Sequence, residues 1–197
     1  MKIYDISQEL ITSRVYEGDP RPKAEKIRSI ERGDEYNLTA LSFCAHNGTH
    51  IDAPSHFLRE GASVDSIPLY KTVGYASVVS ADGEISSEEA MEILALARKH
   101  GSDAEKRILI KGSATLTESG AEYFTEQGIY LIATESQSVG PESAPMAVHK
   151  ILLEKEVVLL EGVRLSGVED GCYFLSAAPI SVAGADGAPC RAILIEF

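Results

Sequence analysis

The sequence contains no tryptophan, and only three of its 197 residues are cysteines. Cys44, Cys172 and Cys190 are far apart and form no Cys-x-x-Cys pair, so the pattern predicts neither a disulfide framework nor a zinc ribbon. Cys44 lies close to a histidine-rich segment, but a small buried side chain is favoured over a metal ligand at this position. The cysteines therefore carry no predicted chemistry.

Positive charge and long hydrophobic runs are also scarce. Lysine and arginine total 18 against 30 aspartate and glutamate residues, which gives a formal net charge of −12. Nucleic acids and anionic membranes attract clustered basic residues, so this balance argues against both as partners. No apolar run approaches the roughly 20 residues needed to cross a bilayer, and the charged N-terminus is unlike a signal peptide. We expect a cytoplasmic protein with no membrane partner.

The order of predicted elements indicates a single α/β domain over residues 1–197. The clearest helix, residues 86–100, begins with the capping box of Ser86 and Glu89 and ends before Gly101. Further helices are predicted at residues 117–127 and 147–154. Strands are predicted at residues 2–10, 23–32, 36–45, 73–81, 107–111, 129–134, 157–160, 172–182 and 192–197. Strand–helix alternation in the middle, flanked by antiparallel strands, predicts a mixed β-sheet core with flanking helices.

A short polar segment carries most of the chemistry that the sequence offers. Its spacing is His-x-x-x-His-x-Asp-x-x-x-His, formed by His46, His50, Asp52 and His56. Gly48 and Pro54 disfavour a helix here, and in an extended chain alternate side chains point to the same side. We therefore expect His50 and Asp52 to share one side, with a bend at Gly48 bringing His46 to the same point.

Two interpretations of this cluster compete. A single buried histidine is usually a hydrogen-bonded core residue, and the whole cluster could be a hydrogen-bonded turn. Buried polar groups cost free energy unless they are paired or bound to a metal, however, and four of them in eleven residues favour a metal or catalytic site. Imidazole and carboxylate are usual ligands of zinc and of harder divalent ions.

Two later residues are candidates to extend the site. His149 lies in an apolar helix, where Leu152 and Leu153 share its face, so its side chain is expected to point inward. Glu161 ends the apolar run of residues 157–160, and a carboxylate at the end of a buried strand costs energy unless it is paired or bound. The residues alone leave both open between metal ligand and ordinary surface or capping residue.

The segment from His46 to Phe57 resembles the signature of the cyclase family, which includes bacterial kynurenine formamidases and isatin hydrolases. The family pattern is close to His-x-Gly-Thr-His-x-Asp-x-Pro-x-His-Phe, and every fixed position is matched. The resemblance continues at residues 147–153 and 157–162, and more weakly at residues 185–189. It implies the swivelling β/β/α-type cyclase fold, a small-molecule substrate and a homo-oligomer, either a dimer or a tetramer.

The resemblance also implies a role for each candidate residue. One divalent ion is held by His46, His50 and Asp52, and a second by Asp52, His149 and Glu161, with zinc or manganese as the metal. His56 is then the general acid/base beside a metal-activated water. Tyr16, in a Gly-Asp-Pro loop where an exposed tyrosine is the alternative, and Phe57 are candidates for the substrate pocket.

The implied reaction is hydrolysis of a small amide, with N-formylkynurenine converted to kynurenine and formate as the leading case. Hydrolysis of another cyclic amide, lactone or ester, or non-catalytic binding on the same scaffold, is the alternative. Three departures from the family bear on aryl recognition: the lack of tryptophan, Glu135 where aspartate is common, and the segment of residues 111–113.

Overall fold

The computed structural model describes residues 1–101 and 103–197 and is organised around a mixed β-sheet. In chain order its strands are β1 (Lys2–Asp5), β2 (Lys23–Arg28), β3 (Leu38–Ser42), β4 (His50–Asp52), β5 (Val73–Ser80), β6 (Gly83–Ile85), β7 (Arg107–Lys111), β8 (Ala114–Leu116), β9 (Leu131–Thr134), β10 (Val158–Glu161), β11 (Gly171–Ser176), β12 (Gly187–Pro189) and β13 (Ile193–Glu196). Its α-helices are α1 (Ser87–Lys99), α2 (Glu118–Glu126) and α3 (Met146–Glu154).

Nine of the strands within the described ranges form one sheet in the order β1-β13-β11-β5-β7-β9-β10-β4-β12. The central strands β5, β7, β9 and β10 are parallel, and helices lie in the connections between them, as parallel pairing requires. The outer strands on both sides pair antiparallel. The predicted mixed sheet with flanking helices is confirmed.

The central strands are buried on both faces, which explains their nearly continuous apolar sequences. Along β7, Leu109 packs into one core while its neighbours Ile108 and Ile110 pack into a second. Helices α1, α2 and α3 cover the second core. The first core lies under β4, the antiparallel strands and their loops. The same alternation places Ile51 of β4 and Leu160 of β10 in the first core, and it directs their chain neighbours to the opposite face of the sheet.

The helix predictions are confirmed to within a residue at each end. Ser86 accepts a hydrogen bond from the backbone of Glu88, and the carboxylate of Glu89 accepts one from the backbone of Ser86, which completes the capping box before α1. Gly101, in the left-handed region at φ 68°, follows the helix. The side-chain oxygen of Thr117 accepts a hydrogen bond from the backbone of Gly120 and so caps α2.

Several strands are shorter than predicted. A strand is predicted at residues 36–45, immediately before His46, but β3 ends at Ser42. The reason is local: the side-chain oxygen of Asn47 accepts a hydrogen bond from the backbone of Cys44 at 2.8 Å, so the chain turns there. The strands predicted at residues 2–10 and 172–182 end at Asp5 and Ser176.

Strands β2 and β3 form an antiparallel hairpin of their own, and every one of their residues is exposed. Ile27, Leu38 and Leu41 are among the exposed apolar side chains of this hairpin. Short strands β4 and β12, which the periodicity of the sequence does not reveal, instead join the main sheet. Among the described residues, no helix is long and apolar enough to cross a membrane.

Candidate metal and catalytic site

Strand β4 places two of the predicted ligands side by side. It pairs antiparallel with β10 on one side and with β12 on the other. His50 and Asp52 are buried on one face of β4, while Ile51 between them points into the core. The register sets His50 directly opposite Glu161, the last residue of β10. His50, Asp52 and Glu161 therefore meet at the end of two paired strands. The extended geometry of the segment predicts that His50 and Asp52 share a side, and the pairing with β10 adds Glu161.

Two imidazoles are held in the same manner by backbone carbonyls. His50 Nδ1 lies 3.1 Å from the carbonyl oxygen of Gly48, and His149 Nδ1 lies 2.8 Å from that of Pro145. A carbonyl only accepts hydrogen bonds, so each ring carries its proton on Nδ1 and directs Nε2 away from the backbone. This tautomer is the one that a backbone carbonyl imposes on a metal-binding histidine when it accepts the Nδ1 proton.

Both Nε2 atoms face carboxylates. His50 Nε2 lies 3.3 Å from Glu161 Oε2 and 3.4 Å from Asp52 Oδ1, while His149 Nε2 lies 3.2 Å from Glu161 Oε1 and 3.6 Å from Asp52 Oδ2. Within the described residues, His50 Nε2 and Asp52 Oδ2 are buried without a hydrogen-bond partner. A bare nitrogen against two carboxylates is unfavourable unless a proton or a cation lies between them.

His46 reaches the same cluster from a turn. Gly48 adopts a φ of 68°, the bend that the sequence predicts, and His46 Nδ1 lies 2.8 Å from Asp52 Oδ1. Its other nitrogen, Nε2, lies 2.9 Å from Asp186 Oδ2. Gly187 makes room for the ring, because a Cβ there would come within 2.7 Å of His46 Cε1.

His56 lies beside the ligand cluster rather than within it. It ends a short 3₁₀ turn that begins at Pro54, and its ring stacks on that of His46 with centroids 3.9 Å apart. His56 Nδ1 lies 3.2 Å from Asp186 Oδ2. The side chain is 27% exposed, whereas those of His50 and His149 are almost fully buried.

These side chains line a cavity of about 510 Å³. Tyr16 and Phe57 are the aromatic side chains among the residues that line it, and the ring centroid of Phe57 lies 4.8 Å from that of His149. The hydroxyl of Tyr16 donates to the carbonyl of Glu142 at 2.8 Å, which holds the Gly-Asp-Pro loop against the segment before α3. A cavity of this volume suits a small molecule.

The electrostatics of the cluster follow from burial and paired charge. Burial alone would lower the pKa of His50, but the adjacent carboxylates of Asp52 and Glu161 outweigh it and raise the pKa to about 10. Burial would raise the pKa of Asp52, yet His46 and His50 hold it well below its usual value. In His149 the carboxylate of Glu161 likewise outweighs burial and raises the pKa. These shifts have one cause: the cluster attracts positive charge to the space between the imidazoles and the carboxylates.

His56 differs from these histidines. Its pKa is lowered, with burial as the main cause, and the nearby carboxylates of Asp52 and Asp186 compensate only in part. A neutral imidazole is therefore the dominant form of His56 at neutral pH, which is the form that accepts a proton.

Three groups of side chains bring ligand atoms within 4.8 Å of one another in the described part of the chain. They are His46 with His50 and Asp52, Asp52 with His149 and Glu161, and His46 with His56 and Asp186. Asp52 belongs to the first two groups, which are the two predicted ion sites. The donor set of imidazoles and carboxylates, with the orphaned atoms of His50 and Asp52, fits divalent cations.

Four polar residues of the cavity, Asp19, Gln137, Ser138 and Asp186, have no predicted role in the site. Asp186, which bonds both His46 and His56, precedes β12 and was noticed only in the weak extension of the family resemblance at residues 185–189. Gln137 and Ser138 line the cavity, and their side-chain polar atoms are buried without a hydrogen-bond partner among the described residues. A lone loop residue far along the chain offers no periodicity or spacing signal.

Two of the family departures have structural roles at strand ends. Glu135 accepts hydrogen bonds from the backbone of Gly112 and of Leu165, both at 2.9 Å, and so ties two loops together. The ammonium group of Lys111 donates to the carbonyl of Val168 at 2.8 Å. Neither side chain lines the cavity.

Comparison with known proteins agrees with this geometry. The profile of the cyclase family, described as "Putative cyclase", matches residues 4–141. The chain is 32% identical to kynurenine formamidase of Salinibacter ruber over 98% of this chain and 97% of that protein. It is 31% identical to kynurenine formamidase of Erythrobacter litoralis over 100% and 94%. This chain belongs to the cyclase family, as its motif predicts.

Solved structures show the same fold. A potential metal-dependent hydrolase with cyclase activity superposes with a TM-score of 0.81 at 27% identity, covering 98% of this chain and 96% of that chain. Isatin hydrolase A from Labrenzia aggregata superposes with a TM-score of 0.82 at 22% identity, covering 98% and 93%. The predicted cyclase fold is confirmed.

Proposed function

We propose that this chain is a metal-dependent hydrolase of a small amide, with N-formylkynurenine, which yields kynurenine and formate, as the leading substrate. One observation carries the proposal: His50 and His149 each donate Nδ1–H to a backbone carbonyl and direct Nε2 at Asp52 and Glu161. Two unprotonated imidazole nitrogens that face two carboxylates are stabilised when divalent cations lie between them. Full-length similarity to kynurenine formamidases supports the choice of reaction.

In this proposal two ions, either zinc or manganese, occupy the cluster. His46, His50 and Asp52 would hold one, and Asp52, His149 and Glu161 would hold the other, with Asp52 shared. Divalent ions supply Lewis acidity, which lowers the pKa of a bound water and polarises a carbonyl. The two carboxylates would balance part of the added positive charge.

Side chains of this chain carry out proton transfer and hold the substrate. His56 accepts the proton of the attacking water and later donates it to the leaving nitrogen as the C–N bond breaks. Its lowered pKa keeps it ready to accept at neutral pH. Tyr16 and Phe57 flank a planar substrate from the cavity walls. The products are then a carboxylic acid and an amine, and His56 returns to its neutral form.

A second candidate is hydrolysis of another small cyclic amide, lactone or ester by the same residues. The absence of tryptophan favours it, because Tyr16 and Phe57 are then the aromatic side chains of the cavity lining on which recognition of an aryl substrate would depend. The expected cytoplasmic location stays a prediction.

The proposal is tested by metal content and turnover together. Protein purified without chelator is expected to contain about two equivalents of zinc or manganese per chain, measured by elemental analysis. The loaded protein is then assayed with N-formylkynurenine, formanilide, isatin and a small lactone. Two equivalents without turnover of any substrate would favour a non-catalytic binding protein. No metal after reconstitution would overturn the metal site itself.

We also propose that the chain forms a homo-oligomer through the β2–β3 hairpin. An isolated two-stranded hairpin is marginally stable in water, yet this one exposes Ile27, Leu38 and Leu41. Over residues 23–42 the hairpin carries four basic and four acidic side chains, so it lacks the excess of acidic residues that the chain as a whole has. A second copy of this chain therefore offers the apolar cover that the hairpin lacks, without strong charge repulsion at the contact.

Leu41→Glu is expected to shift the protein to monomers, because it places a charge in the apolar contact. Sedimentation equilibrium measures the mass, and Leu96→Glu, on the exposed face of α1, is the matched control. The control is expected to keep the mass of the unsubstituted protein. A monomeric unsubstituted chain, or an oligomer that survives Leu41→Glu, would exclude the hairpin as the interface.

A further inference from the structure

One carboxylate oxygen contacts two imidazoles that the proposed mechanism uses differently. Asp186 Oδ2 lies 2.9 Å from His46 Nε2 and 3.2 Å from His56 Nδ1. The two rings are stacked, so a single atom at their shared edge reaches both. The Asp186 side chain is itself about half exposed, at 50%, and lines the cavity.

The backbone holds Asp186 firmly in this place. Its carbonyl oxygen accepts a hydrogen bond from Ala53 at 2.9 Å, and the next residue, Gly187, pairs with Asp52 in the sheet. Ala53 also accepts from the backbone of His56 at 3.0 Å. Asp186 is therefore fixed to the same segment that carries the ligand Asp52 and the base His56, as a precise positioning role requires.

An ionised carboxylate only accepts hydrogen bonds, so both contacts dictate where the ring protons lie. Each nitrogen of His46 faces a carboxylate, Nε2 that of Asp186 and Nδ1 that of Asp52 at 2.8 Å. An ion bound on the Asp52 side would take the place of the Nδ1 proton, and Asp186 then holds the remaining ring proton on Nε2. His56 must donate from Nδ1, which leaves Nε2 to exchange protons with substrate. The opposite tautomer of either ring would leave its working nitrogen protonated.

We propose that Asp186 is a positioning residue that, through one oxygen, fixes the tautomers of both the metal ligand His46 and the acid/base His56. This inference rests on the roles given to those two histidines in the proposed function. It makes metal affinity and proton transfer depend on one carboxylate. Asp186 lies outside the motif of residues 46–57 and outside the two ligand groups that share Asp52.

Asp186→Asn tests the idea because it keeps the shape and removes the charged acceptor. We expect metal affinity, measured by chelator competition on metal-free protein, to fall about 10- to 100-fold. At saturating metal we expect kcat to fall by about 100-fold or more, with KM within about threefold. Imidazole ¹⁵N spectra of the metal-free protein are expected to show His56 losing its single Nδ1–H tautomer.

Two further variants separate positioning from loop structure. Asp65 accepts a hydrogen bond from the backbone of Gly184 in the same loop but contacts Ser63 rather than an imidazole, so Asp65→Asn is the matched control and is expected to change each quantity less than twofold. Asp186→Glu keeps a carboxylate acceptor and is expected to retain a higher kcat than Asp186→Asn.

Three results would overturn the inference. If kcat of Asp186→Asn recovers fully at saturating metal, Asp186 does not position His56. If the variant loses one equivalent of metal at saturation, Asp186 is a ligand and not a positioning residue. If the ¹⁵N spectra are unchanged, it does not set the tautomer. The spectra and the affinities need no turnover, so they decide the matter even if the unsubstituted protein hydrolyses none of the tested substrates.

Discussion

Asp52→Asn is expected to abolish binding of both ions and to reduce kcat/KM for the amide substrate at least about 1000-fold. The reason is that Asp52 belongs to both ligand groups and is almost fully buried, whereas Glu161, the other carboxylate of these two groups, belongs to only one of them. Loss of Lewis acidity removes several kcal/mol of transition-state stabilisation, which corresponds to this factor. Elemental analysis and steady-state kinetics measure the two effects.

Thermal unfolding provides an independent readout of the same variant. Bound ions stabilise the native state by mass action, so a chelator is expected to lower the Tm of the unsubstituted protein and to leave that of Asp52→Asn unchanged. Asp170→Asn serves as the control, since Asp170 bonds Ser80 at the surface away from the cavity. Retention of two equivalents by Asp52→Asn would show that the shared ligand is wrongly assigned.

The elements that local sequence determines are those that could be predicted. The capping box of Ser86 and Glu89 and the stop at Gly101 define α1 through contacts within a few residues. The bend at Gly48 and the extended path from His50 to Asp52 likewise depend on residues inside the motif. Such signals survive in any tertiary context, because the groups that satisfy them are neighbours in the chain.

What could not be predicted depends on pairings between distant segments. Asp186 reaches His46 across 140 residues because β12 pairs with β4, and three-residue strands carry too little alternation to be recognised.

The β2–β3 hairpin is a strand pair whose existence the sequence predicts but whose exposure it does not. Its apolar residues resemble a buried strand in sequence, but in the described chain no core covers Leu41. Periodicity indicates that a face is apolar, and it does not identify what covers that face.

For His149 and Glu161, the sequence predicts the orientation of one side chain but not the position of the other. Helical periodicity predicts that His149 points inward, and it does, with about 2% of the residue exposed. The register that places Glu161 opposite His50 is a property of the sheet, and only the family resemblance pointed to it beforehand. The ligand roles of both residues stay predictions until metal content is measured.

His56→Ala is expected to separate metal binding from turnover more cleanly than any other substitution in the cavity. His56 belongs to neither of the ligand groups that share Asp52, so the variant is expected to keep about two equivalents of metal. Without a positioned acid/base, kcat is expected to fall about 10²- to 10⁴-fold. Elemental analysis and steady-state kinetics on the same preparation measure both quantities.

The remaining histidine supplies the matched control. His100 follows α1, and its Nδ1 lies 2.9 Å from the hydroxyl of Ser77, away from the cavity, so His100→Ala is expected to keep both metal and kcat. If His56→Ala turns over substrate at the rate of the unsubstituted protein, the proton must travel by another group. If it instead loses one ion, the contact of His56 with His46 and Asp186 supports the metal site rather than the proton transfer, and the acid/base must be sought elsewhere in the cavity.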